Sequence, residues 1–176
     1  MDNQRVVELI VSSTKEVFSM MLGMEIEASA SYEEEGTTEI FDGLVALVGL
    51  GGPWTGMGTV YCGTDLALKL TGTMFMTEQT VVNDEVLDAM AEMANMIVGN
   101  VKTALESDLG PLVLSIPTVI FGRNYKALNG MGKSRVVVPF QVDGHQFDVK
   151  FVLVKQQEKS GCPSGMVHQL VQRCLA

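Results

Sequence analysis

A chain of 176 residues with 47% apolar content is sized for one domain, large enough to bury roughly two-thirds of its unfolded surface without staples. Twelve Lys and Arg against 21 Asp and Glu leave a net charge of -9 with no basic run, which argues against a nucleic-acid partner. No apolar run approaches the eighteen or so residues that span a bilayer, and residues 1–5 lack a basic-then-apolar leader, so no membrane is expected and the expected location is the cytoplasm.

Residues 4–22 repeat apolar side chains at helical spacing, with Val7, Ile10, Val11, Thr14, Val17, Phe18, Met21 and Leu22 on one side and Gly23 as a stop. Residues 24–32 alternate as a strand, and 33–36 read as a soluble acidic turn. Residues 38–49 return as a second strand, completing a hairpin. The glycines of residues 49–58 invite a phosphate-loop reading. No Gly-Lys-Ser/Thr follows them, however, and they join strand to strand, so tight turns and small strand positions explain them better. Trp54 is expected to pack beside this turn. A third strand over 56–62 leads through Thr64 and Asp65, a candidate cap, into a helix over 66–76.

The best-signalled helix covers residues 83–106, with Asn83 as cap and Asp84 and Glu85 at the positive end of the dipole. After a break at 108–111, residues 112–121 form an apolar strand containing Pro117. Proline cannot donate to a ladder, so this strand belongs at an edge or is bulged near that residue. Residues 122–133 read as a polar loop. Residues 134–142 and 145–154 form a hairpin around Asp143-Gly144, a dipeptide suited to a type I' turn. Residues 155–165 read as a linker, followed by a short amphipathic helix built on Met166, Val167, Leu170, Val171, Cys174 and Leu175. Each half of the chain is thus helix, three strands, helix.

Cys62, Cys162 and Cys174 are far apart and outside metal-ligand spacing, so they are expected to be free thiols. His145 and His168 have no partner at ligand spacing, and no Ser-His-Asp arrangement or cofactor loop is present. Twelve methionines fall mostly at helix core positions, where a flexible thioether fills gaps.

The 83–106 helix has two faces. Val86, Met90, Met93, Ala94, Ile97, Val101, Ala104 and Leu105 make a core side, while Asp88, Glu92, Asn95, Gly99 and Lys102 form one polar stripe. A solvated face normally carries long charged side chains. This one centres on a carboxylate, a carboxamide and a glycine, which leaves the backbone approachable. Asp88, Glu92, Asn95 and, after twenty-one residues, Pro117 resemble the D/S-x3-E-x2-N-x21-P signature of the CheC/CheX/FliY phosphatases, which dephosphorylate the chemotaxis response regulator CheY. The surrounding text, LDAMAEMANMIVGNVKTALE and LVLSIPTVIFG, is similar to the single-site CheX branch, and the likeness extends loosely over residues 6–154. The same spacing laid on the first helix gives Ser12, Glu16 and Ser19, then Phe41 in place of proline, so two of four points are missing there.

The resemblance implies an α+β fold with a mostly antiparallel sheet, helices packed on it and two pseudo-repeated halves. It also implies one CheX-like domain over 1–154 with 155–176 appended, and a homodimer joined through the sheets. For the site, it implies a phosphatase acting on the aspartyl phosphate of a CheY-like receiver domain. Asn95 would orient the attacking water, Glu92 would dock the partner, Asp88 and Gly99 would complete the contact, and Pro117 would shape the site. No cofactor of its own is implied, the Mg2+ being held by the receiver. The alternative is a non-catalytic receiver-binding or assembly module with the same fold.

Overall fold

The computed structural model describes residues 3–35, 38–128 and 134–156. The expected linker and tail helix beyond residue 156, with Cys162, His168 and Cys174, lie outside the described residues. Three helices and eight strands are described. They are α1 (Asn3–Leu22), β1 (Glu27–Ala28), β2 (Tyr32–Glu34), β3 (Thr38–Gly51), β4 (Trp54–Cys62), α2 (Thr64–Phe75), α3 (Asp84–Leu109), β5 (Val113–Leu114), β6 (Thr118–Leu128), β7 (Arg135–Val142) and β8 (His145–Lys155).

Every strand pairing is antiparallel. The order runs β1 and β2, then β7, β8, β4, β3, and finally β5 and β6 on the far edge. This order reads the same when the two halves are exchanged. In each half the second and third strands form a hairpin, the two third strands pair at the centre, and each half's broken first strand crosses to the other half's second strand. The expected hairpin of residues 24–32 with 38–49 is therefore absent, and β2 pairs with β7. Glu33 and Glu34 of the acidic run belong to β2 rather than to a turn, and their carboxylates have partners elsewhere in the fold. Glu34 sits 3.0 Å from Arg135 and 3.1 Å from Lys150, and Glu33 accepts from Ser134 Oγ and Asn3 Nδ2.

The three helices lie on one face. Side chains alternating toward them, such as Leu44, Ala46, Val48, Val60, Phe147, Val149 and Phe151, join Ile10, Phe18, Leu70, Met90, Ile97 and Val101 in one core. Phe18 of α1 stacks on Phe147 at 4.8 Å between ring centroids, and Phe140 stacks on the same ring at 5.1 Å. Helix α3 settles close to the sheet at Gly58, where a Cβ would stand 2.5 Å from Val98 Cγ2. The opposite face, with Val45, Val137, Val152 and Phe41 buried among their strand neighbours, is covered by no helix among the described residues.

Three further expectations change at element ends. Helix α2 starts at Thr64 with Gly63 as its N-cap and no side-chain cap bond, so the Thr64–Asp65 cap is not formed. The apolar segment 112–121 is two strands on the β3 edge rather than one. Four residues from Leu114 to Thr118 span only three of β3, from Leu50 to Leu47, so a bulge falls at Ile116 and Pro117, as the proline required. The expected loop over 122–133 is β6 as far as Leu128. A second register shift, opposite Phe41 and Gly43 and next to Asn124 at φ 50°, breaks the alternation that would have revealed a strand there. The Asp143-Gly144 turn has positive φ at both residues, 47° and 80°, as type I' needs.

The end of α3 is clamped to the segment that returns from it. Lys102 Nζ lies 2.8 Å from Glu106 Oε1, and the same carboxylate oxygen accepts the Leu112 N–H at 2.9 Å. The Lys102 hydrogen bond first, and the Leu112 N–H second, hold the Glu106 carboxyl below the ordinary carboxylate range. Its charge therefore supports the folded clamp above the unfolded group's midpoint, and that support is lost as pH falls through the lowered folded value. Lys102→Met should move the Glu106 titration, followed by carboxyl NMR, back up toward the ordinary value; an unmoved midpoint would refute the clamp. At the seat of the helix, Gly58→Ala should destabilise the protein by about 1–3 kcal/mol, the cost of overpacking a close contact, read from urea unfolding.

Candidate functional site

The start of α3 is fixed by Asn83, whose side chain accepts the Val86 N–H at 3.1 Å. Val86, Met90, Met93, Ala94, Ile97, Val98, Val101 and Leu105 are buried. That burial fixes the helix phase. Asp88 and Glu92 are exposed, and Asn95, Gly99 and Lys102 are half-buried, along the face turned away from the core. The five stripe positions singled out from sequence thus share one accessible face, with the amide at its middle.

Pro117 is brought to the same face by a match of lengths. From Asn95 to Gly110 the helix descends fifteen residues, about 22 Å at 1.5 Å each. The chain turns at Gly110 and returns over seven residues to Pro117, about 23 Å at 3.3 Å each. Two contacts along the way set the level. Leu112 is held at Glu106, and a Cβ on Gly99 would stand 3.8 Å from Leu114 Cδ1. At the same rise, two or three more residues put Ile116 and Pro117 at about the level of the Glu92–Asn95 turn. The twenty-one-residue gap in the sequence motif is this descent and return.

Serine secures the bulge. The Ser115 N–H donates to Gly49 O at 2.9 Å, Ser115 Oγ accepts from the Gly49 N–H at 2.9 Å, and the hydroxyl donates to Ile116 O at 2.9 Å. Reading the sequence did not single out Ser115, Ile116 or Glu106. The Lys102–Glu106 spacing of four was a visible signal, whereas the partners of Ser115 and Glu106 across the fold were not.

The first half repeats this architecture without the site. Four residues from Ala28 to Tyr32 span three of β7, from Phe140 to Val137, and the Ser29 N–H donates to Pro139 O at 2.8 Å. Ser29, Ala30 and Ser31 therefore stand where Ser115, Ile116 and Pro117 stand in the second half. Counting back from the two glycine stops, Gly23 and Gly110, places Glu8 at the level of Asn95, with Arg5 3.8 Å from its carboxylate. Ser12, Glu16 and Ser19 match the motif's spacing on α1 but sit nearer the end of their helix, and Glu16 receives a long 3.5 Å bond from Asn100.

Two clefts of about 310 and 370 Å3 lie at the start and end of α2, and neither is lined by a stripe residue. The described residues contain no group of three or more His, Cys, Asp or Glu that could hold a metal. Cys62 is a buried free thiol pushed up to about 12 by burial, far from a reactive thiolate. Among the described residues no helix is long and apolar enough to cross a membrane. A half-buried amide and an exposed carboxylate on a rigid rod suit a partner that brings its own surface.

The family model for the chemotaxis phosphatase CheX matches residues 44–141. No curated protein sequence matches the chain. Among solved structures, the chain is similar to the chemotaxis protein CheX of Desulfovibrio desulfuricans, with TM-score 0.75 and 23% identity over 85% of this chain and 99% of that one. It is similar also to CheX of Vibrio vulnificus, with TM-score 0.74 and 20% identity over 85% and 99%. A third likeness, with TM-score 0.69 and 23% identity over 84% and 96%, is to a Borrelia burgdorferi complex of CheX with CheY, BeF3 and Mg2+. These likenesses carry the fold, an antiparallel sheet with helices on it. With the family's model spanning more than half of its length, the chain belongs to the chemotaxis phosphatase CheX family.

Proposed function

We propose that this chain hydrolyses the aspartyl phosphate of a CheY-like receiver domain, with Asn95 orienting the attacking water and Glu92 docking the partner. The observation that supports it most is the placement of Asp88, Glu92 and Asn95 on one accessible face of α3, whose Gly99 lies against Leu114 of the edge segment that leads to Pro117. The Borrelia complex, in which a CheX of the same fold was solved with CheY, supports the class of partner.

The chemistry asks little of the protein beyond position. Water oxygen forms a bond to phosphorus as the bond from phosphorus to the aspartyl oxygen breaks. Inorganic phosphate leaves carrying both of the water's protons, as dihydrogen phosphate, and the receiver's carboxylate is restored. A carboxamide both accepts and donates hydrogen bonds and carries no charge to repel phosphoryl oxygens, so Asn95 can hold the water in line. Glu92, one helical step away, pairs with a lysine of the receiver and sets the docking register. Asp88 adds a polar contact. Gly99 gives clearance: a Cβ there would meet Leu114 at an ordinary 3.8 Å, so the fold itself does not demand glycine despite its cost of about 1 kcal/mol in a helix. Mg2+ arrives with the phosphorylated receiver as part of the substrate.

The same reading carries a homodimer joined through the outer sheet face, where Val45, Val137 and Val152 lie on the side without a described helix. Sedimentation as a monomer at all concentrations would remove that part.

Asn95→Ala should keep receiver binding and lose roughly 10² to 10³ of the turnover, the scale of one positioned polar group. Glu92→Ala should chiefly weaken the complex. Phosphate release from phosphorylated receivers measures the first and titration of the complex the second. Wild-type rates in both variants would refute the assignment, and tight binding without hydrolysis by the wild type would leave a receiver-binding module.

A further inference from the structure

Ile116 is 87% exposed, although it follows Leu114, which packs on the core, by the two positions that would carry it to the same side. The bulge is what turns it out, and bulges next to functional sites re-aim side chains in this way. Its backbone is not loose. Ser115 ties the segment to Gly49 through two hydrogen bonds and to the Ile116 carbonyl through a third. A branched apolar side chain is thus held in water on a fixed mount, two residues past Leu114, which lies against Gly99 of the polar stripe. The first half offers a comparison within one molecule. The same bulge there, on the same serine bond, carries Ala30 and Ser31, and the residue at the level of Asn95 is Glu8.

We infer that Ile116 is the apolar anchor of the receiver interface, a residue that the receiver buries next to its acyl phosphate and that sets affinity for the partner rather than the rate of hydrolysis. The inference rests on the phosphatase reading for the identity of the partner. It adds a residue outside the four-point motif and assigns it a role separable from that of Asn95. An isoleucine fits this role because a stiff β-branched side chain loses little freedom on burial. A location beside the polar stripe lets one partner surface cover both, with polar groups flanking an apolar centre.

The test uses the full chain and a panel of receiver domains from the genome that encodes it, each loaded with Mg2+ and beryllofluoride for binding or acyl-phosphorylated for turnover. Ile116→Ala should raise Kd and KM about tenfold, and Ile116→Asp more, with kcat within about twofold of wild type. Met20→Ala, at an exposed apolar residue on α1, should change neither constant. Ile116 is too exposed for either substitution to threaten folding, and thermal unfolding serves as the check. Unchanged Kd in Ile116→Asp would overturn the inference, as would a change in the sedimentation of the free protein, which would give Ile116 to a second copy of the chain. If the wild type binds a loaded receiver without hydrolysing its phosphorylated form, the phosphatase reading fails while the Kd comparison still decides Ile116. If no receiver binds the wild type, both fall.

Discussion

Val98 resting on Gly58 is the contact on which the rest of the site depends. A glycine on the central strand β4 lets α3 approach the sheet more closely than any side chain would allow, and the helix can do so in one rotational setting. With Val98, Ala94, Ile97 and Val101 committed to the core, the 100° step of the helix leaves Asp88, Glu92 and Asn95 no direction but outward. Depth matters as much as phase. The amide is half-buried, while Glu92 stands exposed.

The second constraint is a matter of rise. A helix gains 1.5 Å per residue and an extended strand about 3.3 Å, so a return strand needs fewer than half as many residues as the descent. The chain obeys that ratio between Asn95 and Pro117, and Glu106 stops the return segment from sliding. Its carboxylate, steadied by Lys102, holds the Leu112 N–H at the point where the chain reverses. A slip of one residue there would flip every side chain of the edge segment to the other face. The clamp at one end and Ser115 at the other thus fix which residue the bulge presents.

Where a feature was written into a local pattern, it could be read from the sequence. The phase of α3, its cap at Asn83, the type I' turn at Asp143-Gly144 and the break at Pro117 all depend on neighbours within a turn or two of chain. Long-range partnering could not be read in this way. Residues 24–34 alternate well enough to be a strand, but nothing in them says that their partner lies a hundred residues away in β7. Glu33 and Glu34 looked like a solvated turn because their partners, Asn3, Ser134, Arg135 and Lys150, belong to other parts of the chain. Strand β6 was hidden for a different reason, since a bulge interrupts the alternation on which detection of strands depends. The stripe itself was legible as a face. Its flank of Ser115 and Ile116 was not, because both owe their placement to pairing with β3.

The palindromic order of the sheet raises the question of why two such similar halves carry one site between them. Both have a helix ending in glycine, a return strand broken after a serine bonded to the neighbouring strand, and the same one-residue excess at the break. Backbone geometry therefore does not discriminate. At the level of Asn95 the first half has Glu8, a carboxylate already beside Arg5. A carboxylate there would accept hydrogen bonds from water as an amide does, but its charge would stand against the phosphoryl oxygens of any acyl phosphate brought to it. At the bulge, Ala30 and Ser31 offer neither the apolar bulk of Ile116 nor the fixed φ of Pro117. The proposed function thus depends on side chains, Glu92, Asn95, Ile116 and Pro117, that one half has and the other lacks, mounted on a scaffold that both share.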